Sequence, residues 1–165
     1  TISNLGTATG FGGITEADQW RLTTGFAGDA DPIASNLERV DTTGFDKLGT
    51  GMSESSGIFT FPSTGIWLVT FRANSYYTGN NRYTTAKIQV TTNDSSYASI
   101  AASDAGFVAS GNIYMNALCE SLIDVTDTAN VKVGFKVDNE NDSTNVQGDT
   151  NVSYTSMMFI RLGDT

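Results

Sequence analysis

Between Asn130 and Val137 every second residue is apolar. Val131, Val133, Phe135 and Val137 alternate with Asn130, Lys132, Gly134 and Lys136. A period of two puts successive side chains on opposite faces of a strand and fits no helix. The same signal recurs along the chain. Trp67, Val69, Phe71 and Ala73 share one face of a long strand, Ile66–Ala73, and Ile88 and Val90 alternate with Lys87, Gln89 and Thr91. Ile113, Met115, Ala117 and Cys119 form a further inward series. In the last segment Tyr154, Met158, Ile160 and Leu162 alternate with Thr155, Met157, Phe159 and Arg161. Met157 and Phe159 are apolar too, so this strand reads as buried on both faces. The expectation is that Met157 and Phe159 meet a neighbouring subunit.

Gly, Asn, Asp and Ser clusters separate these runs, and Pro62 closes Ile58–Phe61 where a missing backbone donor suits a strand end. About ten short strands joined by such turns predict a two-sheet antiparallel sandwich. The only helical candidate, Ala101–Ser110, is interrupted by Gly106. Residues 1–19 are Gly- and Thr-rich with little periodicity and read as an N-terminal arm or linker. One domain is then expected over 20–165. The chain opens on Thr1 and shows no signal peptide, which suggests a processed product or a piece of something longer.

Composition narrows function mainly by exclusion. There is no His among the 165 residues, so Ser-His-Asp and Cys-His mechanisms and His-bearing zinc sites are unavailable. With one cysteine there is neither an internal disulfide nor a thiolate metal cluster. Cys119, within an alternating stretch, reads as a buried small hydrophobe rather than a reactive thiol. The net charge of −9 with scattered basic residues disfavours nucleic acid. No segment has the length and apolarity of a membrane span. No phosphate-cradling loop is present, and no carboxylate spacing selects a glycosidase-type pair. The chain reads as non-enzymatic.

Two stretches carry binding chemistry. The loop from Asp138 to Asp149 is dense in carboxylates and amides, and calcium takes several hard oxygen ligands. Asp138, Glu140, Asp142 and Asp149 are therefore candidate calcium ligands, although a solvated loop has the same composition; no other cofactor is expected. Tyr76, Tyr77, Asn80, Asn81, Arg82 and Tyr83 are expected to form a surface loop whose rings and amides suit glycan or protein recognition, or plain turn packing.

Three segments resemble one family. Ser56-Gly57-Ile58-Phe59-Thr60-Phe61-Pro62-Ser63-Thr64-Gly65 followed by Ile66–Phe71 is similar to the Gly-x-Phe-Thr-x-Pro-x-x-Gly pattern of complement-1q/tumour-necrosis-factor domains. Ser121–Val133 resembles the family's next hairpin, with Asp127-Thr128-Ala129 in place of its usual Gly-Asp turn, and Thr155–Leu162 resembles its terminal strand. The resemblance spans about Gln19–Leu162. It implies a jelly roll of about ten strands assembled as a homotrimer around apolar sheet residues. The family's disulfide cysteines are missing.

A second likeness involves Glu16–Thr24, Asn36–Asp41 and Gly49–Gly57, which are similar to domains of marine bacteriophage fibre and capsid-decoration proteins. It implies a virion-surface structural role, with other virion proteins or host-surface glycans and proteins as partners. The alternative is a secreted, extracellular bacterial adhesin or lectin-like module.

Overall fold

The computed structural model describes residues 13–79, 81–107 and 111–165; of Asn81 and Phe107 only the backbone is described. The chain forms a two-sheet antiparallel jelly-roll sandwich, as the alternation predicts. Twelve strands occur among the described residues: β1 Ala17–Leu22, β2 Phe26–Ala27, β3 Leu37–Arg39, β4 Ser53–Ser55, β5 Ile58–Thr60, β6 Gly65–Thr78, β7 Asn81–Thr91, β8 Ala98–Phe107, β9 Asn112–Val125, β10 Lys132–Asn139, β11 Asn145–Val146 and β12 Ser156–Gly163. One sheet holds seven strands in the order β2-β11-β6-β12-β1-β3, with β9 on the other edge of β6. The second runs β4-β5-β10-β7-β8.

The inward residues of both sheets interdigitate as one core. Phe59 touches Trp20, Phe135 and Phe159 at centroid separations of 5.2, 5.4 and 5.2 Å. Phe71 lies 5.0 Å from Phe135, and Phe61 lies 5.2 Å from Trp67. Both tryptophans are thus core residues, as their positions in alternating runs suggest.

The turn between β4 and β5 has positive φ at both Ser56 and Gly57, the backbone of a two-residue hairpin of mirror-image type. A side chain at Gly57 would also bring its Cβ within 2.3 Å of Ile33 O, so glycine is required twice over. That explains why the Gly57 motif marks this corner so clearly.

Three expectations are corrected. The helix expected over Ala101–Ser110 is not formed by its described residues: Ala98–Phe107 is strand β8, paired with β7, and residues 108–110 lie outside the described residues. Its alanines suit either state, and Gly106 is there because a Cβ would fall 1.8 Å from Arg82 O across the ladder. The domain begins earlier than residue 20, because Ala17, Asp18 and Gln19 already pair with Ile160, Phe159 and Met158. Asp18 is buried and accepts hydrogen bonds from Gln19 N, Trp20 Nε1, Met52 N and Arg39 Nε at 2.8–3.0 Å. These four donors and the Arg39 charge offset the cost of removing a carboxylate from water. Residues 1–12 of the expected arm lie outside the described residues.

The third correction concerns Met157 and Phe159, expected at a subunit interface. Their relative exposures are 1% and 0%, and both belong to the protein's own core. With both faces of β12 apolar, the sequence left the phase of the strand open. Pairing with β1 and β6 settles it the other way, so Met158 is the outward residue.

Cys119 sits on the inner face of β9, its thiol donating to Ala86 O at 3.5 Å, and burial pushes its pKa up to about 11. At pH 8 about one thiol in a thousand would then be ionised. We expect a thiol reagent to label Cys119 only with the rate of global unfolding, read by following reaction with and without urea. Rapid labelling of the native chain would contradict the placement.

Candidate assembly face

Sheets of this architecture bury one face each, and what the other face carries is free to serve function. On the seven-stranded sheet the outer face carries exposed apolar residues interleaved with polar ones such as Thr70, Asn116, Glu120 and Asp124. Register makes the pattern explicit. Ala17 lies opposite Ile160, Ile160 opposite Leu68, and Leu68 opposite Leu122, giving one apolar row across β1, β12, β6 and β9. Further along, Tyr76 faces Tyr114 across β6 and β9, with ring centroids 5.0 Å apart. On β9 alone, Tyr114, Leu118 and Leu122 are 65%, 53% and 62% exposed. Met158 and Leu162 extend the surface on β12.

The relief is uneven. Beside the β9 ridge lies a hollow of about 250 Å3 whose lining includes Trp20, Val40, Leu118 and Met158. A second hollow, of about 300 Å3, is lined by Gln19, Asp46 and Lys47 as well as by Leu48, Met158 and Ile160. Arg72, the cation within this face, is turned to the carbonyls of Ser153 and Tyr154 and so is partly neutralised by backbone dipoles. Single exposed apolar residues are ordinary, whereas several aligned in one row across four strands point to an interaction site.

The expected recognition loop is not a loop. Tyr76 and Tyr77 are successive residues of β6 and so point to opposite faces, while Arg82 and Tyr83 belong to β7. Tyr76 joins the assembly face, where its hydroxyl bonds Thr78 and Asn112. Tyr77 Oη accepts from Asn141 Nδ2, Arg82 pairs with Glu140, and Tyr83 is exposed. Asn80 lies outside the described residues, and nothing is described of the Asn81 side chain.

Nor are the four carboxylates proposed for calcium gathered. Asp138 is held by Lys87 and Lys136, Glu140 by Arg82, and Asp149 accepts the amides of Asn151 and Val152. Asp142 is exposed. Among the described residues no three His, Cys, Asp or Glu side chains form a group that could hold a metal ion. Burial pushes the Asp138 carboxyl up, but the bonds from Lys87 and Lys136 outweigh it and hold the group below its ordinary value. Lys136 is raised, first by its bond to Asp31 and then by Asp138.

Since the folded carboxyl of Asp138 is depressed, its contribution is present above the unfolded value near 4 and lost as pH falls through the folded one. Asp138→Asn should therefore cost under about 1 kcal/mol at neutral pH. That gap should close below pH ~4 in urea titrations, and one that widened on acidification would contradict the pairing.

The residues that matter most on this face, Leu68, Leu118, Leu122, Tyr114 and Met158, were missed as a site. A signal existed: Tyr114, Leu118 and Leu122 recur every four residues, which on a strand is one face. It stood in the shadow of the inward series Ile113–Cys119.

No family model matches the chain, and no curated protein matches it. Among solved structures it is similar to Eiger TNF from S. frugiperda, with TM-score 0.65 and 11% identity over 93% of this chain and 96% of that one. It is also similar to murine APRIL, with TM-score 0.60 and 10% identity over 89% of this chain and 98% of that one. Likeness at that identity is likeness of fold: the jelly roll is shared.

Proposed function

We propose that this chain is a non-enzymatic structural module that closes into a homotrimer through the outer face of its seven-stranded sheet, which carries an exposed apolar row. The trimer would be displayed on a phage virion as the knob of a fibre or as a capsid decoration, where it stabilises the particle or attaches it to a host surface. The observation that carries the assembly is the row Ala17–Ile160–Leu68–Leu122 with its flanking ridge and hollows. Ridge and hollows lie on different parts of one face. A head-to-tail contact that sets the β9 ridge of one copy into the β1/β12 side of the next would close by rotation and leave no apolar face open. Three-fold closure is what the resemblance to complement-1q/tumour-necrosis-factor domains implies, and the virion location follows from the likeness to phage structural domains. Repeating each outward surface three times would add avidity to attachment.

Light scattering tests the assembly: the expected mass is three times the 17.5 kDa of the chain. A monomer at micromolar concentration would remove the reading. Immunogold labelling of intact particles tests the location. Labelling of bacterial surfaces alone would favour the secreted adhesin instead.

A further inference from the structure

The outer face of the five-stranded sheet is built differently from the assembly face. One transverse row runs Ile58–Gly134–Gln89–Ser99 across β5, β10, β7 and β8. Gly134 interrupts an outward series that otherwise carries Lys132 and Lys136, so the sheet is lowered by one side chain at its centre. A Cβ built there would meet Ile58 Cδ1 at 3.4 Å and Pro32 Cβ at 3.6 Å, both ordinary contact distances. Ile58 and Pro32 therefore lean over Gly134, which is buried beneath them. Beside them lies a hollow of about 420 Å3, lined by Asp31, Pro32, Ile58, Gln89 and Tyr97.

We propose that this hollow binds one neutral sugar ring. Pocket volumes of this order are typical of small-ligand sites. The lining is amphipathic in the way a pyranose is: Tyr97, Pro32 and Ile58 offer apolar surface to ring C–H groups, while the Gln89 amide and the Asp31 carboxylate offer donors and acceptors to hydroxyls.

Charge selects for neutrality. The three lysines of this face are all matched: Lys87 to Asp138 at 2.7 Å, Lys132 to Asp94 at 2.8 Å, and Lys136 to Asp31 and Asp138 at 2.9 and 3.2 Å. On a chain of net charge −9 this balanced patch repels neither sign strongly and captures neither. Burial pushes the Tyr97 phenol up, with Asp94 adding to it, so the ring stays a neutral hydroxyl donor. The hollow lies within one protomer and on the sheet opposite the assembly face, so it does not rest on the trimer.

The test is saturation-transfer NMR on the intact chain with glucose, galactose, mannose and N-acetylglucosamine, beside glucosamine and glucuronic acid as charged controls. At least one neutral sugar should receive transfer at its ring protons. Tyr97→Ala should weaken binding roughly tenfold or more. Gln89→Ala, which removes the amide from the lining, should weaken binding severalfold while leaving the melting temperature nearly unchanged.

Silence from every neutral sugar at ~10 mM would overturn the proposal, since even weak lectin-type binding falls within that range. So would transfer that persists undiminished in both Tyr97→Ala and Gln89→Ala, or preference for either charged sugar. Because monomer mass and sugar binding are read separately, failure of the trimer and failure of the pocket cannot be confused.

Discussion

Replacing Phe59 with alanine should cost about 3–5 kcal/mol, a large part of the stability of an ordinary domain. The reason is position rather than size alone. Phe59 belongs to the five-stranded sheet, yet its ring touches Trp20 on β1 and Phe159 on β12 of the opposite sheet as well as Phe135 beside it. It is wholly buried, so truncation leaves a cavity where the two sheets meet and removes three aromatic contacts at once. Urea unfolding followed by tryptophan fluorescence gives the number directly. A loss below about 1 kcal/mol would mean that the sheets close around the gap or that Phe59 lies elsewhere.

The second large effect concerns assembly and separates two faces of neighbouring strands. Leu118→Asp with Leu122→Asp places two charges on exposed positions of β9, where a lone monomer would tolerate them. In the trimer they would be desolvated against an apolar partner, at several kcal/mol each. The expected result is a threefold fall in solution mass with an unchanged far-ultraviolet spectrum. Phe159→Asp should behave oppositely: the charge enters the core, and the chain is expected to aggregate or remain unfolded rather than yield a folded monomer. If the β9 double variant stays trimeric, the assembly face is wrong.

The strands most readable in the sequence were those with one wet and one dry face. Lys132 and Lys136 against Val133, Phe135 and Val137 leave no choice of phase. On β12, Met157, Met158, Phe159 and Ile160 are all apolar, and only pairing with β1 and β6 decides which pair turns inward. Loop carboxylates misled for a related reason. Asp138 in fact ends up on β10 beside Lys136, and the partners Lys87 and Arg82 lie on β7, so their competition for Asp138 and Glu140 is visible only once β7 and β10 are adjacent. Asp18 was beyond sequence reasoning altogether, since Arg39 and Met52 come from remote segments. The same limit applies to the hollow beside Tyr97, whose lining comes from four separate segments.

The pairing of Ala17 with Ile160 has a consequence in time. The first described strand and the last are direct neighbours, and β12 fills the slot between β1 and β6. On the ribosome, β1 can pair early with β3, but its other edge must wait for Ser156–Gly163 before β12 exists. Pairings this distant in sequence make folding slow relative to local structure. The apolar row cannot form until Ile160 has left the exit tunnel, so shorter nascent chains have no finished surface with which to stick to each other.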